Sequence, residues 1–319
     1  MPDPNPTIRP YGSAAIADAA ALIGAGGIVA VPTETVYGLA ADPSDAEAVA
    51  RIYRAKGRPS FNPLIVHVLD VAAAERLAVF DDDARALAAA FCPGPLTLVL
   101  PLREDAGIAS LVTAGLDTVA IRVPAGRAIR ALLEATGTPL AAPSANRSNG
   151  ISPTRAEHVA ASLGGQVPLI IDDGACAAGV ESTIVQGRTV LRPGPITAEM
   201  IAEVLPDRGH VASRPDAGPR PAPGRISAPG QLASHYAPSK PLRLGATVAE
   251  ADEYLIGFGG VEGDTTLSAG GDLMEAAARL FDALHVADAG AKPRIAVAPV
   301  PEHGIGVAIN DRLRRAAHG

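Results

Sequence analysis

The 319-residue chain has no tryptophan, only two cysteines, and five residues each of phenylalanine and tyrosine. Cys92 and Cys176 stand far apart and lack metal-ligand spacing. That excludes a disulfide framework or a thiolate zinc site, and two buried free thiols are expected instead. No uninterrupted apolar stretch approaches the roughly 20 residues that a membrane-spanning helix needs. The opening MPDPNPTIRPYG lacks the basic start and apolar run of a secretory signal. A soluble, cytoplasmic protein with no membrane contact is therefore expected. Positive charge is also scarce: 27 Lys and Arg face 34 Asp and Glu, a net charge of −7. Proteins that hold nucleic acid through its phosphates carry a basic face. Here the best candidate is Arg312, Arg314 and Arg315, which reads as a solvated helix terminus, so tight RNA binding is disfavoured and at most a weak tRNA contact is expected. The Gly-x4-Gly-Lys-Ser/Thr pattern of a P-loop is absent. Gly24-Ala25-Gly26-Gly27 precedes a strand and reads as a helix stop. Gly304-Ile305-Gly306 follows a strand but lacks the third glycine and the later acidic residue of a dinucleotide fingerprint, and reads as a tight turn.

What is present is a large aliphatic fraction, 48% hydrophobic residues, with 33 glycines and 29 prolines mostly at the edges of periodic segments. That is the punctuation of a folded α/β protein, and the length suits two domains. A helix over 13–23 capped by Ser13 and a strand over 27–31 come first. Ser44 then opens a helix with Ala48, Val49, Ile52 and Tyr53 on one face. Strands follow over 64–68, 96–100, 118–123, 139–142, 169–172, 182–186 and 189–191. Helices are expected over 81–91, 125–135, 154–163 and 197–204. From Pro206 to Pro241 the chain is rich in Pro, Gly, Ser and Arg with little periodicity, as in a linker. A second pattern has strands over 254–257, 265–267 and 295–300 and helices over 273–284 and 305–316, which suits a small α/β domain with a mostly parallel sheet. The expected division is a domain over 1–205, a linker or lid over 206–241, and a second domain over 242–319.

Four segments concentrate small polar and basic residues at strand ends. Val31-Pro32-Thr33-Glu34-Thr35-Val36-Tyr37-Gly38-Leu39 places two threonines and a carboxylate after a buried strand; alone it is a capped turn. In Lys56-Gly57-Arg58-Pro59-Ser60-Phe61-Asn62-Pro63-Leu64, a helix ends in two cations held by a stiff backbone. Such cations are ordinary helix-dipole partners, yet a rigid loop presenting them could also clamp an anion. Ala142-Pro143-Ser144-Ala145-Asn146-Arg147-Ser148-Asn149-Gly150-Ile151-Ser152-Pro153-Thr154 runs from a strand to a helix start, where backbone N–H groups can hold phosphate. Val180-Glu181-Ser182-Thr183-Ile184 is followed by Leu191-Arg192-Pro193-Gly194.

In this order and spacing the motifs PTETVYGL, KGRP..NPL, CPGPLT (Cys92 to Thr97), IRVP (Ile121 to Pro124), PSAN, EST and RPG resemble the YrdC-like family of threonylcarbamoyl-AMP synthases over roughly Gly26 to Val204. Ser234-His235-Tyr236-Ala237-Pro238 resembles the HYAP element of that family's long, two-domain form. Pro229-Gly230-Gln231-Leu232 departs from the more basic stretch often found before it, which bears on the linker's path. The resemblance implies an N-terminal α/β domain with a twisted mixed sheet, joined to a smaller C-terminal Rossmann-like domain. It implies a catalytic, nucleotide-lining set of Lys56, Arg58, Ser144 and Asn146. Further ATP contacts are implied at Asn62, Thr118, Ser152, Arg192 and Tyr236, the last reaching back over the nucleotide. L-threonine contacts are implied at Thr35, His67, Arg122 and Ser182; without the resemblance, His67 would read as a satisfied core histidine.

The implied reaction joins L-threonine, bicarbonate and ATP, with Mg2+ on the phosphates, into threonylcarbamoyl-AMP. Its acceptor is the complex that transfers the threonylcarbamoyl group to tRNA. The residue types suit this chemistry: cations where phosphate charge develops, Arg122 for a carboxylate, and a hydroxyl at Ser182 to read the threonine side chain. The same residues leave two alternatives. One is a module binding double-stranded RNA or tRNA, against which the net charge argues. The other is a carbamoyl-adenylate domain like that of the hydrogenase-maturation carbamoyltransferase, whose additional length and cysteines this chain lacks.

Overall fold

The structure, a computed structural model, describes residues 6–205, 212–213 and 235–318. The first part of the chain runs β1 (Thr7–Pro10), α1 (Ser13–Gly24), β2 (Val29–Pro32), β3 (Tyr37–Ala40), α2 (Ala46–Lys56), β4 (Ile65–His67), α3 (Val71–Leu77), α4 (Asp82–Phe91), β5 (Leu96–Pro101), α5 (Ser110–Thr113), β6 (Thr118–Arg122), α6 (Arg127–Thr136), β7 (Leu140–Ala141), α7 (Ala156–Leu163), β8 (Leu169–Asp172), β9 (Thr183–Gln186), β10 (Thr189–Arg192), α8 (Ala198–Val204) and β11 (Ala212–Ser213). Then come β12 (Leu242–Leu244), β13 (Glu253–Gly257), β14 (Thr265–Thr266), α9 (Leu273–Ala289), β15 (Arg294–Val297) and α10 (Gly306–Ala316).

The expected mixed sheet is present as two. One has the order β1-β8-β2-β3 and the other β11-β10-β9-β5-β6-β4-β7, each combining parallel and antiparallel pairs. They meet where Gly38 bridges Ser144 and Ala41 bridges Ala141. The third sheet, β12-β15-β13-β14, is parallel throughout, as its alternation of strands and helices required.

Local chemistry moves several boundaries from their expected places. Gly12, without a side-chain cap, precedes α1, so Ser13 is its first residue and not its cap. Asp45 caps α2 by accepting from the N–H groups of Glu47 and Ala48, while the Ser44 hydroxyl donates to Asp42. Thr154 does not cap α7: its N–H donates to Nδ1 of His158, one turn on, and Arg155 takes the cap position without a side-chain bond. β1 escapes sequence reading because all four of its residues are exposed and its backbone is paired with β8, a strand about 160 residues away along the chain. β11 lies inside the expected linker and adds to the edge of the large sheet beside β10. The rest of 206–234, including Ser234 and Pro229-Gly230-Gln231-Leu232, lies outside the described residues. Cys176 is buried and Cys92 half-buried, both as free thiols.

The aliphatic residues fill one large core around the seven-stranded sheet, a second around α9, α10 and the C-terminal sheet, and a third between α1, α6 and the four-stranded sheet. The second core is shared: Val36, Ile151 and Val180 from the first part of the chain pack into it beside Tyr236, Phe281 and Leu284. The seam between the two parts is therefore apolar burial, the non-directional driving force that makes an interface persist.

Candidate functional site

The register of the large sheet builds the site's floor. His67 of β4 lies beside Arg122 of β6, and Arg122 lies beside Thr97 of β5. Alternation along strands puts neighbouring partners of this kind on one face. Leu96 pairs with Thr183, which brings Ser182 alongside: its hydroxyl is 2.7 Å from that of Thr97 and accepts from Arg192 Nη2 at 3.1 Å. The turn between β2 and β3 forms one wall. There the Thr33 hydroxyl donates to the Val36 carbonyl and accepts from the N–H groups of Thr35 and Val36. This exposes the Thr35 hydroxyl to Arg122, whose Nη1 donates to it at 2.9 Å.

Arg122 is 4% exposed and is aimed by Glu34, which accepts from Nη2 at 2.6 Å. The other oxygen of Glu34 accepts from the N–H groups of Ala125 and Gly126 at the start of α6, a position that favours negative charge. Burial raises the Glu34 pKa, but Arg122 and these hydrogen bonds outweigh it and hold the carboxyl below its ordinary value. His67 is buried, and burial with Arg122 close by depresses it to about 3, so the imidazole is neutral at physiological pH. Its Nδ1 has no partner among the described residues.

The second wall is the loop carrying Ser144 and Asn146. Lys56, the last residue of α2, is buried and donates through Nζ to the carbonyls of Ser144 and Asn146, both at 2.5 Å. Asn146 Nδ2 in turn donates to the Arg147 and Gly150 carbonyls. Gly57, in the left-handed region at φ 59, ends the helix and turns Arg58 toward the cavity. Arg58 Nε donates to the Asn62 carbonyl and Nη2 to that of Pro63, and Asn62 Oδ1 is buried without a partner among the described residues. Lys56 closes α2, as expected of a helix ending in cations, but its side chain is buried behind Ser144, so of the two cations expected to form an anion clamp Arg58 lines the cavity and Lys56 does not.

The roof comes from the segment after residue 234. Tyr236 is 1% exposed and sits at φ 65, a conformation that non-glycine residues hold only where surroundings impose it. Those surroundings are the Ala237 N–H donating to the Asn149 carbonyl, the edge of His235 with ring centroids 4.0 Å apart, and Phe281 at 5.5 Å. The Tyr236 hydroxyl and His235 Nδ1 are buried and unpartnered among the described residues.

These walls enclose a cavity with about 550 Å³ of empty volume, part of it open to solvent. Of the residues the sequence singled out, Thr35, Arg58, His67, Arg122, Ser144, Ser182, Arg192 and Tyr236 line it. Lys56 and Asn146 stand directly behind Ser144, and the Ser152 hydroxyl donates to Glu181, which does line the cavity. Thr118 is set apart. It shares the sheet face of Arg122 but lies at the other end of β6, about 13 Å away at the usual rise per residue. Sequence reading assigned no role to Thr33, Glu34, Thr97, Glu181 or Arg312. Glu34 and Glu181 sit inside quoted motifs, so their neighbours could have flagged them. Arg312 carried no such signal, and its placement on a solvated terminus is wrong: it is fully buried and donates through Nε to Glu181 Oε2 at 3.0 Å.

Electrostatically the site is divided. Arg122 and Arg312 have carboxylate partners. Arg58 and Arg192 donate to carbonyls and a hydroxyl and have no ion-pair partner among the described residues. Burial first, then the repulsion of Arg192, lowers Arg58 to about 10, which still leaves it a cation at neutral pH. Buried cations without counterions are costly unless an anion completes them. One half of the cavity is thus built for an anion, and the other is a small pocket of hydroxyls and a carboxylate-paired arginine.

The Sua5/YciO/YrdC family model, described as "Telomere recombination", matches residues 21–194. A second, described as "Threonylcarbamoyl-AMP synthase, C-terminal domain", matches residues 196–318. The threonylcarbamoyl-AMP synthase of Bacillus subtilis is 40% identical over 95% of this chain and 93% of its own. That of Pyrococcus abyssi is 39% identical over 94% and 93%. The crystal structure of P. abyssi Sua5 complexed with L-threonine superposes over 98% of this chain and 97% of that one, with a TM-score of 0.87 and 37% identity. The chain belongs to the threonylcarbamoyl-AMP synthase family, in the form that joins the Sua5/YciO/YrdC domain to the C-terminal domain.

Proposed function

We propose that the chain condenses L-threonine, bicarbonate and ATP into threonylcarbamoyl-AMP, releasing pyrophosphate, and supplies it to the complex that modifies tRNA. The observation that carries this reading is the divided cavity: Arg58 and Arg192, which have no ion-pair partner among the described residues, face the same space as the Thr35, His67, Arg122 and Ser182 pocket.

Arg122 receives the threonine carboxylate. Three of its five N–H donors are committed to Glu34, Thr35 and Gly94, and the rest face a ligand. Ser182, which already accepts from Arg192, has a hydroxyl proton to offer the threonine side chain. Neutral His67 can accept a hydrogen bond from the amine without adding repulsion. The amine adds to CO2 with loss of a proton, or condenses with bicarbonate with loss of water, and the carbamate oxygen then attacks the α-phosphorus as pyrophosphate leaves. Arg58 and Arg192 stabilise the charge that builds on the phosphates, while Lys56 and Asn146 hold the Ser144 loop against them. Mg2+ would enter on the nucleotide and neutralise phosphate charge. The one carboxylate among the described lining residues, Glu181, is already paired with Ser152 and Arg312, so the phosphates themselves suit the ion best. Tyr236 and His235 close the cavity against water, which protects a labile mixed anhydride.

The test is pyrophosphate release with ATP and Mg2+, omitting threonine or bicarbonate in turn. Both are expected to be required. Serine keeps the hydroxyl and lacks one methyl, worth roughly 1–3 kcal/mol, and is expected to be a weak substrate. Valine, which leaves the hydroxyl site unpaired, is expected to be a very poor one. Equal turnover with no amino acid, or with valine in place of threonine, counts against this reading.

A further inference from the structure

We propose that Arg312, on α10 of the C-terminal domain, is a positioning residue for the nucleotide half of the cavity, an inference that rests on the synthase reading above. Arg312 leads the largest fully buried side chains, and most of its contacts lie outside its own helix. Nε donates to Glu181 Oε2 at 3.0 Å and Nη1 to the Pro193 carbonyl at 2.7 Å. The guanidinium carbon lies 5.5 Å from the centroid of the Tyr236 ring, within the range of a cation–π contact. The remaining oxygen of Glu181 accepts from the Ser152 hydroxyl at 2.5 Å. Arg312 therefore joins three chain segments directly and a fourth through Glu181, and each carries a residue assigned to the ligand site: Ser182 beside Glu181, Arg192 beside Pro193, Tyr236, and, through Glu181, Ser152.

The guanidinium is itself held from behind. Asp311 accepts from Arg312 Nη1 at 2.9 Å, and its other oxygen accepts from Arg315 at 3.0 Å. Arg312 does not line the cavity, so it acts on the nucleotide through the groups it holds. A planar fork can satisfy a carboxylate, a carbonyl and an aromatic face together; an ammonium is a point charge and cannot. A buried ion pair is by itself poor evidence of a stabilising role, since an apolar replacement of both partners is often neutral. The four-segment geometry is what assigns the role to the site. It also gives the C-terminal domain a part in the reaction, since its last helix fixes the roof and the phosphate wall in one register.

The test uses the full chain with Arg312→Lys, Arg312→Met, Glu181→Gln and the double variant Glu181→Gln/Arg312→Met. Thermal melting, calorimetric affinity for a non-hydrolysable ATP analogue, affinity for L-threonine alone, and steady-state pyrophosphate release are measured. Arg312→Met strands the Glu181 carboxylate and is expected to melt early. Arg312→Lys and the double variant keep the charges balanced and are expected to fold. In both, analogue affinity is expected to fall about 10–100-fold, as when an outer partner that orients a binding group is lost. The double variant is expected to bind the analogue more weakly than Glu181→Gln alone, and threonine affinity is expected to change far less. Folded variants with the parent's analogue affinity overturn the proposal, as does an equal loss of both affinities. Failure of both charge-balanced variants to fold would make Arg312 a folding residue and overturn it too. A parent chain that releases pyrophosphate without threonine overturns the synthase reading alone, because analogue affinity does not depend on turnover.

Discussion

Arg122 shows how a single residue's task is set by what surrounds it. A guanidinium buried on a sheet would normally be a liability. Here Glu34 takes one edge, Thr35 another, and the Gly94 carbonyl accepts weakly from Nε at 3.4 Å. Glu34→Gln keeps the shape and the acceptor for the Ala125 and Gly126 N–H groups but removes the charge that aims Arg122. The KM for threonine is expected to rise about tenfold, with a smaller change in kcat and little change in melting temperature. Steady-state kinetics at saturating ATP and bicarbonate check this, and an unchanged threonine KM would count against the role of Glu34. Lys56 is a different case. Its ammonium is buried behind Ser144, and burial drives its pKa well below the ordinary lysine value. Removing it disturbs the loop that carries Ser144 and Asn146 as well as the charge.

At the scale of elements, the loops that carry the site are held by turns and close approaches. The one between Ala178 and Glu181 meets α9 through Gly179. That residue has φ +67, and a Cβ built on it would lie 2.4 Å from the Ala277 carbonyl oxygen and the Ala278 Cα. Only a residue without a side chain lets the loop sit there. Gly179→Ala combines left-handed strain with backbone overlap, and is expected to destabilise the chain by about 2–4 kcal/mol. Because Glu181 and Ser182 follow directly, nucleotide affinity is expected to fall as well. Denaturant melts and analogue binding on the variant test this; parent-like behaviour in both would show that the loop relaxes without consequence.

Over the whole molecule, the two parts of the chain meet through polar clasps as well as the shared apolar core. His158 of α7 stacks on His285 of α9 with centroids 3.8 Å apart. His285 Nε2 lies 3.2 Å from the Ser152 carbonyl, and Asp282 faces both His158 and Arg155. Burial first, then His285 and Arg155, hold His158 down at about 4 against the pull of Asp282. His285 is lowered too, chiefly by burial, against the Ser152 hydrogen bond, Asp288 and Asp282. A folded pKa below the unfolded one, about 6.5, means that the unfolded chain takes up protons first as pH falls. The stability tied to neutral His158 is therefore complete above about pH 6.5 and is lost as pH falls toward 4. The loss is expected to be roughly 1–3 kcal/mol. Urea melts of the parent and His158→Gln between pH 7 and 4 measure it. The parent is expected to lose stability faster over that window, and identical slopes would remove His158 from the explanation. The same seam bears on ending the chain near residue 205. Such a fragment would uncover Val36, Ile151 and Val180 and leave Glu181 without Arg312, so more than a roof would be lost.

Hydrophobic periodicity, helix stops and motif order determined a good part of this by themselves: the α/β class, the parallel C-terminal sheet, the family, and most of the residues that converge on the cavity. Those features are local, or repeat at a spacing that the chain itself displays. Boundaries were legible where one side chain makes the cap, as Asp81 does for α4, and missed where neighbours compete for it, as Ser44 and Asp45 do. β1 and β11 were invisible because each is a short strand defined by its pairing with a strand elsewhere in the chain. Only the tertiary structure decided that Lys56 faces inward, that Glu34 aims Arg122, and that Thr118 stands apart. It alone carried Arg312, 131 residues from Glu181 along the chain, to a place behind the wall of the site. A buried charge reads in sequence like an exposed one, because what distinguishes them is the partner that offsets its desolvation, and the fold supplies that partner from elsewhere in the chain.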